Sequence, residues 1–421
     1  MNIVFVTGLY VPRYSAVGKC VKNLAAEMAR RHDVTVLSIK QGDSPLSGFY
    51  GDGGERLEYT ASRIDGIKSI AQAKMLANEH KSLWHLVDRA LSAFLYGSRM
   101  MSRAAYHHSR SRAYLKALEG LEPKPDLLIP CAGMFENVMA CVWYKRNHPE
   151  VTLTPILFDQ FAYATSLYKT NIEKRIHRSW NLKVEDEVLA SSDAIFTVTW
   201  DAHIKNAHPR WLSKVHHIEH PMLVPPKLYE ESGVDTKKHG AVFAGSLDPT
   251  VRDAYFAIEV FRQLHAISPE APRLEFYALG SGAVLPEAAQ AETPSVVVAH
   301  RPLLADEMVS VLRNSEILVS IGNKNRFQKP SKHIEYMALG KPIVHFSTID
   351  DDPTVEDFIN YPLALVLRES SGYAACAKEL NRFLLEVRGR EISFTEVEKI
   401  FPEGSPAYIA SEIAQIAGGG A

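Results

Sequence analysis

Asn2-Ile3-Val4-Phe5-Val6-Thr7, then the stretch from Val17 to Arg31, then Val34-Thr35-Val36-Leu37-Ser38-Ile39 set the fold at the start of the chain. The first and third pieces are short, apolar and rich in β-branched residues, as strands are, while the middle one repeats apolar residues at helical spacing. Strand, helix, strand is a βαβ unit, which implies parallel strands and a doubly wound sheet. Working outward, further strands are expected at 126–130, 152–158, 194–199 and 215–218, with helical stretches between most of them. A second series begins near Gly240, with strands expected at 241–244, 274–278, 296–299, 317–321 and 342–346. The proline-rich, mixed-charge stretch from Pro221 to Lys238 fits a linker.

Length supports the same division. The chain has 421 residues, and single cores usually stop growing at roughly 250–300. The expected organisation is an α/β chain of two Rossmann-like, doubly wound parallel-sheet domains. The first covers 1–222 and the second 236–401, and a last capped helix lies in 402–418 before a Gly-Gly-Gly-Ala end. Apolar residues make up 46%, enough for ordinary cores, and the formal charge of -2 gives no global signal for nucleic acid. Four cysteines, Cys20, Cys131, Cys141 and Cys376, show no CxxC spacing, which suits a reducing compartment better than a disulfide framework. The N-terminus has no basic n-region and no apolar run approaches the ~20 residues of a membrane span, so a cytoplasmic protein is expected.

The segment from Gly322 to Pro342, GNKNRFQKPSKHIEYMALGKP, is the most informative for function. It follows an expected strand, and loops at that end of a doubly wound sheet open onto the binding crevice. The loop carries Lys324, Arg326, Gln328 and Lys329, then enters a helix through Pro330 and Ser331. Gly340 and Pro342 end that helix. Lys332 is out of place there, because a cation in the first turn opposes the helix dipole. A bound anion would use both the lysine and the free backbone N–H groups, and this reading is preferred. The alternative is an i,i+3 salt bridge from Lys332 to Glu335, in the poorer order for such a pair.

Pro330-Ser331-Lys332, Glu335-Tyr336-Met337-Ala338 and Gly340-Lys341-Pro342 together resemble the donor-binding helix of GT-B glycosyltransferases, specifically family 4. Weaker likenesses run along most of the chain: Val6-Thr7-Gly8 with Pro12, Gly18 and Leu24-Ala25, then Phe243-Ala244-Gly245-Ser246-Leu247 and Ala278-Leu279-Gly280-Ser281-Gly282. The segment ending Ala190-Ser191-Ser192-Asp193-Ala194-Ile195-Phe196 is similar to the family's stretch before a late strand. The resemblance implies two domains facing across a cleft, with the last helix crossing back to the first domain. The implied activity is hexosyltransferase-like: a sugar moves from a nucleotide-diphosphate donor such as a UDP-sugar to a hydroxyl acceptor, with retention and without a metal. No cofactor is implied, since the nucleotide sugar is a substrate. By the same likeness Lys332 and Arg252 neutralise the leaving diphosphate, Arg252 as a second first-turn cation. Glu335 holds the ribose, Gly245 and Ser246 let the backbone approach the phosphates, and Arg301 marks the base. Gly18, Gly280, Lys324, Arg326, Gln328 and Ser331 complete the expected donor set.

The chain departs from the family at two places. Phe327 stands where the first of two glutamates eight residues apart is usual, which leaves the transferred sugar open. The stretch Ile129-Pro130-Cys131-Ala132-Gly133 lacks a histidine that many relatives carry. Asp159 is a candidate polar group near the reacting centre, with a turn aspartate as the alternative. These departures support a second class of function, a catalytically degenerate relative that binds nucleotide or glycan as a partner subunit. An epimerase or phosphorylase of the same shape would need a base or a lysine-bound cofactor that the sequence does not display. Asp350-Asp351-Asp352 reads as a solvated turn rather than a metal motif. His216, His217 and His220 read as structural, since neighbours on a strand point to opposite faces, and His107-His108 as solvent-facing. Basic residues within 61–120 (Lys68, Lys74, Lys81, Arg89, Arg99, Arg103, Arg110, Arg112, Lys116), interspersed with Trp84, Phe94, Tyr96 and Tyr106, suggest an anionic membrane surface receiving a lipid-linked acceptor. A pair of amphipathic helices with a solvated basic face is the preferred reading. The partners expected are thus a nucleotide sugar and a glycan or lipid-linked acceptor.

Overall fold

Strand β1 (Asn2–Val6) is buried from its second residue on, and helix α1 (Ala16–Met28) lays Cys20, Val21, Leu24, Ala25 and Met28 on the core before β2 (Asp33–Ile39) pairs parallel to β1. The Ser15 hydroxyl caps α1 by accepting from the Gly18 N–H at 3.0 Å. The structure is a computed structural model. It describes every residue except 13, 42–43, 78–79, 103, 134, 159, 164–167, 169, 200, 227–236, 304 and 419–421, and only the backbone of 76, 201, 305 and 306.

The chain forms two compact units, Met1–Pro221 with Pro406–Ala421, and Met222–Ser405. In the first, β3 (Phe49–Tyr50) and β4 (Arg56–Thr60) extend the sheet beyond β2, followed by α2 (Arg63–Leu76), α3 (Lys81–Met100) and α4 (His108–Glu119). Then come β5 (Leu127–Ala132), α5 (Phe135–Asn147), β6 (Thr152–Leu153), β7 (Ile156–Leu157), α6 (Asn171–Ser191), β8 (Ile195–Thr197), α7 (Asp201–Ala207) and β9 (Val215–His217). The sheet order is β3-β4-β2-β1-β5-β7-β8-β9, with β6 also on β5, and every pairing is parallel except β3 with β4. The single strand expected over 152–158 is broken into β6 and β7 around Pro155, which has no N–H to give to a ladder.

The second unit has β10 (His239–Ser246), α8 (Tyr255–Ile267), β11 (Leu274–Leu279), α9 (Val284–Glu292), β12 (Val297–Ala299), α10 (Ala305–Arg313), β13 (Ser315–Ile321) and α11 (Lys332–Ala338). It continues with β14 (Ile343–Ser347), α12 (Val355–Asn360), β15 (Ala364–Arg368), α13 (Tyr373–Glu386) and α14 (Phe394–Ile400). All six strands are parallel in the order β12-β11-β10-β13-β14-β15. Counted within the unit this is 3-2-1-4-5-6, the doubly wound dinucleotide-type order, whose switch point lies between β10 and β13. The last helix, α15 (Pro406–Gly418), packs on α1.

Strands β4 and β15 were not expected from sequence, because Arg56–Thr60 and Ala364–Arg368 are short and carry polar or only half-buried residues. Two helix starts also differ. Helix α11 begins at Lys332, so Pro330 precedes the first turn. Helix α8 begins at Tyr255, so Arg252 is not in a helical turn at all. Instead Asp248 accepts two bonds from Thr250, and its backbone pairs with Arg252 in an isolated bridge.

Gly340 ends α11 with a φ of 69°, and a Cβ there would overlap the carbonyl oxygen of Ile392. Its N–H and C=O are both engaged, the C=O by Ile392 N–H at 3.0 Å. We expect Gly340→Ala to lose about 1–3 kcal/mol through the left-handed backbone and that overlap. Urea unfolding checks it, and an unchanged midpoint would contradict the account.

Candidate functional site

Strands β10 and β13 pair through Ala241–Ile317 and Val242–Leu318 and then part. Ala244, the next residue of β10 facing that side, therefore has a backbone N–H and C=O with no strand to bond. Both go to one side chain: the buried Tyr336 hydroxyl accepts from Ala244 N–H at 3.0 Å and donates to Ala244 C=O at 3.1 Å. Burial, ahead of any other cause, raises the Tyr336 hydroxyl above the ordinary phenol range. The tyrosine thus holds α11 at the fork where the sheet changes direction.

Two loops leave this fork, one after β10 and one after β13, and they are laced together. The Arg252 guanidinium donates to Asn323 Oδ1 at 2.7 and 3.1 Å, and the Asn323 amide N–H donates to Gln328 C=O at 2.9 Å. Lys324 N–H donates to Val251 C=O at 2.7 Å, and the Lys324 ammonium reaches Pro249 C=O at 3.0 Å and pairs with Asp253. Arg326 pairs with Asp351 at 2.8 Å and lies over the Phe327 ring at 4.9 Å. Lys329 pairs with Asp357 at 2.6 Å.

Lys332 pairs with Glu335 at 2.9 Å. The i,i+3 pair forms in the poorer sequence order, with both side chains only partly exposed. Arg252 stands apart. Among the described residues it pairs with no carboxylate; its side-chain partner is a neutral amide. Desolvation pulls its pKa down, opposed by the more distant Tyr336 and Asp352.

Several of the remaining expected residues follow strands of the second sheet. Gly245 and exposed Ser246 end β10, with Arg252 Nη1 3.9 Å from where a Gly245 Cβ would sit. Gly280 follows β11 with a φ of 93°, and a Cβ there would lie 2.6 Å from Leu247 C=O, so the turn requires glycine. Arg301 follows β12 and lines a cavity of about 370 Å³ together with Ala278, Pro286, Ala299, Glu287 and His300. Ser331 is the N-cap position of α11, but its side chain makes no capping bond. Gly18 lies in the other unit, where a Cβ would overlap Leu9 C=O. Asp159 lies outside the described residues.

Sequence reasoning missed the side chains that set the geometry: Asn323, Tyr336 in its double contact, and Asp352. Asp352 is not a solvated turn residue. It is buried, accepts from His345 Nε2 at 2.9 Å and from Thr354 N–H at 2.9 Å, and crowds Gly322, which opens the loop. His345 Nδ1 meets Ser320 Oγ at 3.0 Å, which fits a neutral ring with its proton on Nε2, and burial lowers the imidazole pKa. His107 is half-buried rather than solvent-facing, and burial with Arg110 and Arg99 nearby lowers it to about 4. His216 packs on Phe196 and His220 stacks on Phe158.

No family model matches the sequence. No curated protein matches it. Solved structures do match over nearly the whole chain. The Candida albicans trehalose-6-phosphate phosphatase N-terminal domain aligns with a TM-score of 0.64 at 12% identity, covering 99% of this chain and 96% of that one. The fold is GT-B. Another GT-B neighbour, the E. coli trehalose-6-phosphate protein bound with UDP-2-fluoro glucose, gives 0.56 at 10% identity, covering 99% and 97%. A glycosyltransferase involved in avilamycin A biosynthesis gives 0.51 at 12%, covering 99% and 96%. At these identities the likeness shows the GT-B fold, with two Rossmann-like units.

Two carboxylates in the second unit set an acid limit. Asp352 is held at about 2, despite burial, by His345 and Thr354, and Glu275 at about 2 by His300, His239 and the Gly240 N–H. Both are depressed relative to the unfolded chain. Their contribution is therefore complete above the ordinary carboxylate range and is lost as pH falls from about 4.5 towards 2. We expect unfolding free energy to drop steeply across that window, and Glu275→Gln to flatten the slope. Equal slopes for wild type and variant would contradict the assignment.

Proposed function

We propose that the chain is a glycosyltransferase that moves a sugar from a nucleoside-diphosphate sugar to a hydroxyl acceptor, with retention and without a catalytic metal, in polysaccharide or glycolipid synthesis. The carrying observation is Arg252, a half-buried cation at the switch point of a doubly wound sheet whose side-chain partner is an amide. A cation held there without a carboxylate suits a dianionic ligand, and the crevice at such a switch point is where ligands of open α/β sheets bind.

In this reading Arg252 and Lys332 stabilise the charge that grows on the departing diphosphate. One such well-placed donor is worth on the order of 3 kcal/mol in the transition state. Gly245, Ser246 and Gly280 keep the strand ends free of bulk beside the phosphates. The cavity lined by Arg301 takes the base, and Glu335, swinging from Lys332, takes the ribose hydroxyls. Lys324, Arg326, Gln328 and Ser331 shape the loop over the donor. The neighbour bound with UDP-2-fluoro glucose supports a UDP-sugar as the first donor to try.

The decisive test is a thermal-shift screen with UDP, GDP, ADP and CMP. A ligand at 100 times its dissociation constant adds about 2.7 kcal/mol of stability. One nucleoside diphosphate is expected to raise the wild-type midpoint, and Arg252→Gln is expected to bind it at least about tenfold weaker, the loss of one charge-assisted contact. If no nucleotide shifts the midpoint, the donor reading falls and a partner subunit without donor binding replaces it.

We further propose that the acceptor arrives at an anionic membrane surface on the inner side of the cell. Part of the basic stretch 61–120 is used internally: Lys68 pairs with Asp88, Arg99 with Glu173 and Arg110 with Asp65, while Tyr106 is buried. Arg103 lies outside the described residues. What is left outward is apolar and cationic. Helix α3 exposes Leu83, Leu86 and Phe94 beside Arg89, and α6 exposes Ile172, Ile176 and Trp180 at i, i+4, i+8 beside Arg175, Arg178 and Lys183. Apolar stripes flanked by basic residues suit the interface of an anionic bilayer. No helix among the described residues is long and apolar enough to cross a membrane. Vesicles of phosphatidylglycerol are expected to float the protein at low salt, and Ile172→Asn with Ile176→Asn to abolish flotation. Absence of salt-sensitive binding, or binding untouched by the variant, would overturn this.

A further inference from the structure

We propose that Glu185, His203 and His208, in the first unit, form a site for a divalent cation of the zinc type. Glu185 lies on α6, His203 on α7, and His208 just after α7 at the start of a 3-10 turn, Pro209–Lys214. All three are buried. Both imidazoles direct Nε2 at the same carboxylate oxygen, Glu185 Oε2, at 2.8 Å from His203 and 3.2 Å from His208. The three candidate ligand atoms all lie within 4.8 Å of one another.

Proton counting argues for a metal here. His208 faces a carboxylate with each of its ring nitrogens: Nε2 faces Glu185, and Nδ1 lies 3.5 Å from Asp186 Oδ1. A neutral imidazole carries one N–H. Without a metal, His208 either turns a lone pair towards one carboxylate or becomes a buried cation. A divalent ion between Glu185 Oε2 and the two Nε2 atoms removes the conflict. It takes both Nε2 lone pairs and leaves the His208 Nδ1–H to donate to Asp186, which is the carboxylate–histidine–metal arrangement that fixes a metal-binding ring. Asp186 is itself held for that task by Trp211 Nε1–H at 2.9 Å and by Arg210.

The spacing fits. Zinc bonds to nitrogen and oxygen of roughly 2.0–2.2 Å place tetrahedral ligand atoms about 3.3 Å apart. The observed 2.8 and 3.2 Å from Glu185 Oε2 need only a few tenths of an ångström of opening, and the two Nε2 atoms, within 4.8 Å of one another, are drawn together by the ion. Two imidazoles and one carboxylate suit zinc over magnesium or calcium, which prefer all-oxygen sets. The three leave a fourth position for water. Glu185 also accepts from Ala162 N–H at 2.7 Å through its other oxygen. The ion would therefore join α6, α7 and the chain at Phe161–Ala162, and it involves none of the residues proposed for the donor.

The test uses the full chain without a histidine tag, stripped with chelator and then titrated with zinc chloride, with metal content by mass spectrometry and the unfolding midpoint as readouts. About one tightly held zinc per chain and a raised midpoint are expected. His203→Gln should weaken zinc binding at least about tenfold, whereas His217→Gln, an exposed histidine on β9, should not. Should His203→Gln fail to fold, cobalt added to the stripped wild-type chain gives a second readout. A visible absorption band of tetrahedral or five-coordinate cobalt that zinc abolishes supports the site. No retained zinc with no midpoint shift, or binding indifferent to His203→Gln, overturns it. A negative nucleotide screen would leave this result untouched, so the two readings fail separately.

Discussion

The parting of β10 from β13 is the constraint on which the second unit depends. Two parallel strands that separate leave an N–H and a C=O facing nothing, and a buried backbone group without a partner loses about 1–3 kcal/mol. The Tyr336 hydroxyl satisfies both groups of Ala244. It can do so only if α11 begins where it does, and α11 begins there because the loop from Gly322 to Ser331 is held against the β10 loop. The lacing of Arg252, Asn323, Lys324 and Val251 is thus part of the same structure as the sheet's change of direction. No third strand fills the fork, and ligands of open α/β sheets bind at such a switch point.

The loops at that fork are electrically unfinished. Lys324, Arg326, Lys329 and Lys332 each have an acidic partner at the described separations, but Arg252 has an amide. A carboxylate in place of Asn323 would have stabilised the arginine and neutralised it towards any incoming anion. An amide fixes the guanidinium's direction while leaving its charge uncompensated, and the desolvation that lowers the Arg252 pKa is the stability given up for that arrangement.

How much of this the sequence disclosed follows from the kind of signal involved. Continuous apolar runs such as Ile3–Val6 mark fully buried parallel strands, so β1, β2, β5 and most of the second series are legible. Arg56–Thr60 and Ala364–Arg368 sit at or near sheet edges with partly exposed residues, and their patterns are diluted accordingly. Glycine at Gly340 is legible because its backbone conformation leaves few choices. The start of α8 was misplaced because Asp248-Pro249-Thr250 forms a side-chain-bonded turn that carries Arg252 outside the helix, although the Asp-Pro-Thr run does contain the turn signal. Asn323 and Asp352 could not be ranked from composition, since their importance lies in contacts with Arg252 and His345 that are distant in sequence.

The Lys332–Glu335 pair and the Arg252–Asn323 pair divide the energetics of the proposed donor site unequally. A diphosphate approaching Lys332 must compete with a carboxylate 2.9 Å away, whereas at Arg252 it displaces nothing charged. Arg252 therefore supplies ground-state affinity at little reorganisation. Contact with Lys332 requires Glu335 to let go, which is favourable only when Glu335 gains hydroxyl donors of its own. A ribose offers such hydroxyls at a fixed distance from its diphosphate, and inorganic diphosphate offers none. On the proposed function, these four side chains would favour a nucleoside diphosphate over its phosphate portion alone.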